Sequence, residues 1–351
     1  MLLLLYCKPD KPAGEYSYIA KNILLTIQGP ISGAFFILFM FDSTTVSHSG
    51  LREKLLSLQA QIGNTPLVSF PGIFRKEQVT LVAKQEWQQL SGSVKARAAF
   101  AIFKDAIEKK QLHPGKVLLD ATSGNTGIAY AHIGQKLGIP VTLCLPENAS
   151  IERIEILRAL GVHLILTSRF EGTDGAQEIA LEMAEKKSEL FFYADQYKNE
   201  NNWKAHFEGT GAEILRDTPG ITHFVAGLGT TGSFIGTGRR LKKKNPAIRL
   251  VSLQPDNPLH GLEGWKHLET AVVPKIYDAG VADENLEIST EEAYEMIKLV
   301  KEKEGLILSP SSAANLVGAI RVASKIEQGT VVTLLPDNGD KYGELYKKLF
   351  K

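Results

Sequence analysis

The sequence predicts an α/β protein built from two doubly wound, mainly parallel-sheet domains. Three observations carry that expectation. Short apolar runs of strand type alternate with helical runs through most of the chain, and that alternation builds parallel sheets with helices on both faces. The length of 351 residues suits about two domains with a buried core each. Loops rich in glycine and serine recur between a short strand and a helix, the place where such sheets bind ligands.

Taken in order, residues 51–58 space their apolar side chains as a helix does, and Gly63-Asn64-Thr65-Pro66 is turn chemistry. Residues 79–84 (VTLVAK) read as a strand. Apolar positions 94, 98, 99, 102, 103, 106 and 107 keep a helical period, and His113-Pro114-Gly115 stops that run. Strand 116–120 leads through a polar glycine loop into an Ala-rich helix ending at Gly138. Strand 141–145, helix 151–160 and strands 162–166 and 190–193 follow. The second half repeats the grammar: strand 222–226, a glycine loop, a helix to Lys244, strand 249–253, helix 290–304 and strand 306–308. A helix from Ser311 and strand 330–335 close it. Asn and charged residues accumulate over 196–203, where the domains should part.

Composition narrows the function. Lys+Arg number 40 against 39 Asp+Glu, so no strong positive charge argues for nucleic acid. Two cysteines, Cys7 and Cys144, supply neither a disulfide framework nor a zinc site, which points to a reducing cytoplasm and no metal. Residues 22–41 approach the length of a membrane span, but Asn22, Thr26, Gln28, Pro30 and Ser32 interrupt the run, so no membrane role is expected. Phe-Asp-Ser-Thr-Thr after it is a poor signal-cleavage site. Starting instead at Met40 leaves an ordinary polar N-terminus, so residues 1–50 read as an extension outside the fold.

Three loops stand at strand-to-helix junctions: 122–127 (TSGNTG), 227–233 (GLGTTGS) and 309–313 (SPSSA). Each offers free backbone N–H groups at a helix N-terminus, suited to anions. Gly227, Gly229 and Gly232 fit the G-x-G-x-x-G of a dinucleotide-binding dehydrogenase, but the following strand ends in Gln254-Pro255 where that fold needs an acid. Lys95 sits at the start of a helix, where the dipole disfavours a cation. Such an amine is suited to forming a Schiff base, although a surface lysine fits the local pattern as well.

Five motifs in one order are more specific. Gly63-Asn-Thr-Pro-Leu67, Gly-Ser-Val-Lys95-Ala-Arg97, Thr-Ser-Gly-Asn-Thr-Gly127, Gly229-Thr-Thr-Gly-Ser233 and Pro336-Asp-Asn-Gly-Asp-Lys-Tyr342 resemble the cysteine synthase and cystathionine β-synthase family of pyridoxal-phosphate enzymes, fold type II. The resemblance runs from about residue 51 to 342, with overtones of cysteine synthase B and of phosphoserine-using relatives. It implies pyridoxal 5'-phosphate bound between the domains. Lys95 would be the catalytic lysine holding it, with Gly229, Thr230, Thr231, Gly232 and Ser233 around its phosphate. Asn125 would meet its phenolic oxygen, and Ser311 its ring nitrogen. Thr122, Ser123, Gly124, Thr126 and Gln196 would grip the amino-acid carboxylate. Lys266 falls about where phosphoserine-using relatives carry an arginine, and a phosphate there would gain a charge-assisted hydrogen bond. The chain departs from the family at Gln89-Leu90, Ala96 and Ala313, positions that carry no catalytic group.

The implied activity is replacement of the leaving group of O-acetyl- or O-phospho-L-serine by sulfide or another thiol, through an aminoacrylate, giving L-cysteine. Cystathionine β-synthase and serine or threonine dehydratase chemistry are the rivals within the family. The expected partition is a segment 51–84 packing on the large domain, a smaller mobile domain 85–200 with Lys95 and the TSGNTG loop, and a larger domain 201–351 with the phosphate loop. The family is usually a homodimer.

Overall fold

A computed structural model describes residues 25–27, 36–38, 48–122 and 124–351. Two compact units divide the chain, Met1–Ser47 and His48–Lys351. In the first, β1 (Leu25–Ile27) pairs antiparallel with β2 (Phe36–Leu38), Thr26 opposite Ile37. The apolar run over 22–41 is therefore extended where it is described; the rest of it, and Met40, lie outside the described residues. Among the described residues no helix is long and apolar enough to cross a membrane.

The second unit opens with the helix His48–Gln59, three residues before the expected start of the fold. It contains two sheets. The larger runs β11 (Glu284–Ile288), β10 (Arg249–Pro255), β9 (His223–Gly227), β12 (Gly329–Leu335), β4 (Val79–Gln85) and β3 (Leu67–Ser69). The smaller runs β7 (His163–Thr167), β6 (Val141–Pro146), β5 (Val117–Ala121) and β8 (Phe191–Tyr193). Every strand pair in the second unit is parallel except β3 with β4. Central strands such as β5 and β6 are buried throughout, as a sheet covered on both faces requires. Residues of the 51–84 segment enter the larger sheet as β3 and β4 rather than only packing on it.

Other differences have local causes. β11 (ENLEI) escaped notice because an edge strand with exposed polar side chains lacks an apolar run. The strand expected over 306–308 is one bridge, Leu308 to Asn338. The Asn-rich 196–203 stretch, where the domains should part, runs into the helix Asn201–Ala205, continued by a π-turn His206–Thr210 and the helix Gly211–Asp217. The helix Gly172–Lys186 was also unforeseen, its core side being largely Gly175, Ala176 and Ala180.

What matters for function is polarity. The loops after β5, β9 and β12 leave the carboxyl ends of their strands. Val94 N–H donates to Pro336 O at 2.8 Å, which brings the approach to Lys95 against the end of β12.

Candidate active site

Lys95 is the first residue of the helix Lys95–Glu108. It shares a cavity of about 150 Å³ with Thr122, Gly124, Asn125, Thr126, Gln196, Gly229, Thr230 and Lys266. Burial holds its amine below the usual lysine range, and Asp337 opposes that shift. Behind it the charges cancel. Arg97, two residues on, meets Glu86 at 2.7 Å and Glu213 at 2.6 Å, and Lys84 meets Glu213 at 2.8 Å. Two buried cations face two carboxylates, so this network lends Lys95 little net field. Gln89, a departure from the family pattern, supports the same region by accepting the Gly63 N–H at 3.0 Å.

The 227–233 loop is built for close approach. A Cβ on Gly229 would lie 2.0 Å from Gly264 O, and one on Gly232 would lie 2.0 Å from Asn202 Oδ1. Thr231 holds a left-handed φ of 70°, uncommon for a β-branched residue, and its buried hydroxyl has no partner. Thr230 Oγ1 accepts from Asn202 Nδ2 at 3.1 Å. Ser233 lies in the first turn of the helix Gly232–Lys244, half-buried. An unpaired buried hydroxyl, glycines without room for a side chain and a helix N-terminus fit a phosphate group.

On the other side, Thr122 Oγ1 accepts the Gly124 N–H at 3.3 Å. Thr126 Oγ1 donates to Gln196 Oε1 at 2.7 Å, and Gln196 Nε2 donates to Ala121 O at 2.9 Å. Ser123 lies outside the described residues. Under this loop Asp120 is wholly buried; its Oδ1 accepts the Ala121 N–H at 2.8 Å, and burial pushes its acid up to about 7.

Ser311 stands in the first turn of the helix Pro310–Lys325, its Oγ 3.5 Å from Asp337 Oδ1. Asn125 Nδ2 donates to Asp337 Oδ2 at 2.7 Å, and Tyr342 OH donates to the same oxygen at 2.9 Å. The serine expected to face a ring nitrogen alone thus has a buried carboxylate beside it.

Lys266 reaches the cavity but is engaged. Its Nζ lies 3.1 Å from Asp174 Oδ1 and 5.1 Å from the centre of the Tyr197 ring. Asp337, Arg153, Glu263, Lys341 and Tyr342 were passed over as site residues. The 336–342 motif contained three of them, whereas Arg153, ion-paired to Glu263 and stacked 5.0 Å from the Tyr342 ring centre, gave no local signal. Lys95, the phosphate-fitting loop, Asn125 and Ser311 therefore fit the pyridoxal phosphate that the motifs imply.

Comparison with known proteins finds extensive similarity. A family profile described as pyridoxal-phosphate dependent enzyme matches residues 58–337. The chain is 45% identical to a cysteine synthase of Aquifex aeolicus over 299 residues, covering 83% of this chain and 90% of the other. It is 36% identical to an O-acetylserine dependent cystathionine beta-synthase of Bacillus subtilis, covering 80% and 94%. A crystal structure of cysteine synthase from Entamoeba histolytica superimposes with a TM-score of 0.77 at 30% identity, covering 92% of this chain and 94% of that one.

Proposed function

This chain belongs to the pyridoxal-phosphate-dependent enzyme family, and on that premise we propose that it is a cysteine synthase converting O-acetyl-L-serine and sulfide to L-cysteine and acetate. The observation that carries the reading is the meeting in one cavity of a desolvated lysine, a loop fitted to phosphate and a loop fitted to a carboxylate.

The cofactor, when bound, supplies an electron sink for breaking the Cα–H bond. Lys95 would hold it, and once the substrate's amine displaces that bond the freed lysine, its charged form disfavoured by burial, would take the Cα proton and return it after the thiol has added. Backbone N–H groups and hydroxyls of Gly229, Thr230, Thr231, Gly232 and Ser233 bind the phosphate. Asn125 would orient the ring through its phenolic oxygen, and Ser311 would face its nitrogen. Thr122, Ser123, Gly124, Thr126 and Gln196 bind the substrate carboxylate, with Gln196 already fastened to both ends of that loop. Closing of the half around residues 85–200 on the substrate would exclude water.

Charge pairing in the cavity favours the acetyl donor. Lys266 is engaged by Asp174 and Arg153 by Glu263, so a phosphate would find each cation already partnered. This weighs against the phosphate contact expected at Lys266. The paucity of cysteines supports a cytoplasmic setting, and the family resemblance supports a homodimer.

Lys95→Ala tests the reading: cysteine formation should fall more than about 1,000-fold while the circular dichroism stays native. Substantial synthesis by that variant would overturn it. Homocysteine offered beside sulfide tests the second reading, which the likeness to the Bacillus cystathionine beta-synthase supports. Cystathionine formed in preference to cysteine would select it.

A further inference from the structure

Lys341 is a second half-buried lysine beside the site, and its ammonium does three things at once. It donates to Gly92 O at 3.0 Å, to Ser91 O at 3.3 Å and to Asn125 Oδ1 at 3.0 Å. The first two contacts grip the turn that leads into Lys95. That turn needs its glycine: Gly92 has a φ of 67°, and a Cβ there would sit 3.4 Å from the Lys341 nitrogen. The third contact settles the orientation of Asn125.

Which end of an asparagine amide carries the oxygen must be deduced from its partners. Here they agree. The Lys341 ammonium is donor-only, so the atom facing it is the oxygen. The Asp337 carboxylate is an acceptor, so the atom facing it is the nitrogen, at 2.7 Å. One of the two amide hydrogens goes to Asp337, and the second remains for a ligand acceptor. With Lys341 absent, the amide oxygen would lose its donor and Asp337 alone would hold the group, by its nitrogen, so the amide could swing away from the ligand.

We propose that Lys341 is a positioning residue: it locks the Asn125 amide with its N–H toward the cofactor's phenolic oxygen and fixes the 91–92 turn ahead of Lys95. The inference rests on the cofactor reading above. It concerns how this chain orients the group, not whether the group binds.

The test uses the full-length holoenzyme. Lys341→Met should speed loss of pyridoxal phosphate on dialysis by about tenfold, as removal of one charged hydrogen bond would. It should also shift the visible absorption band, because the hydrogen bond to the phenolic oxygen changes. Lys341→Arg, still donor-only, should restore most of both. Asn125→Ala should reproduce the shift, and adding Lys341→Met to it should change the band no further, since the lysine acts through the amide. A lowered Tm with unchanged band and loss rate would overturn the proposal, leaving Lys341 a structural staple. So would additive band shifts in the double variant. If Lys341→Met fails to fold, the comparison of Lys341→Gln with wild type decides. Glutamine can accept as well as donate and carries no charge, so the amide oxygen is held more weakly and the band should move part of the way; an unmoved band would overturn the proposal. Wild-type protein that takes up no cofactor would sink the reading and this inference together.

Discussion

The Asp337 carboxylate opposes the loss of charge that burial imposes on Lys95. Asp337 lies two residues past the last strand and Lys95 begins an early helix, and the fold brings the two charges near each other. Since the carboxylate favours the protonated amine, its removal should favour the free base. Asp337→Asn is expected to shift the pH at which the cofactor-stripped protein captures pyridoxal phosphate to lower values, measured by the growth of absorbance across a pH series. A shift to higher pH would mean that Asp337 acts mainly by holding Asn125 and Tyr342.

Gly229→Ala should weaken cofactor binding without unfolding the chain. The new methyl would stand 2.0 Å from Gly264 O, so one loop must retreat. Overpacking of that kind costs about 1–3 kcal/mol, or roughly 5- to 150-fold in cofactor affinity. Titration of the stripped protein with pyridoxal phosphate checks it, and wild-type affinity would show that the loop yields freely.

Asp120 makes stability depend on pH. Its folded acid lies at about 7 against an ordinary value of 3.8. Between those values the folded chain keeps a proton that the unfolded chain has released, so stability falls as pH rises from about 4 to 7 and then levels. Asp120→Asn removes the titration while keeping an acceptor for the Ala121 N–H. Its Tm should gain on wild type across that interval and hold the gain at pH 8, worth on the order of a few kcal/mol. Parallel Tm curves would show that Asp120 does not titrate there.

Asp174→Asn should alter the choice of donor. It frees Lys266 from its carboxylate partner and leaves the cation available to a phosphate. The ratio of kcat/KM for O-phosphoserine over O-acetylserine is expected to rise about 3- to 10-fold. Lys266→Ala in the native background should change O-acetylserine turnover less than threefold. Equal loss for both donors in that variant would place Lys266 in general cavity packing.

Removing residues 1–39 should leave activity intact. Every side chain assigned to the site lies between Lys95 and Tyr342, and the family match begins at residue 58. Steady-state rates within twofold of the full chain are expected; loss of bound cofactor would show that the N-terminal unit supports the site.

The sequence by itself determined the alternation of strand and helix, the three strand-to-helix loops and the lysine at a helix start. Each is a local pattern: apolar period, turn residues and helix-terminus chemistry are set by neighbours along the chain. It missed β11 and the helix Gly172–Lys186, whose burial rests on small or few side chains. Only the tertiary structure decided the partners of the buried charges. Arg97 with Glu86 and Glu213, Lys266 with Asp174, Arg153 with Glu263 and Lys341 with Asn125 are pairs whose members come from separate elements. A surface lysine and an engaged one read alike in sequence. What separates them is desolvation and the nearest opposite charge, and both are fixed only when distant segments pack into one low-dielectric cavity.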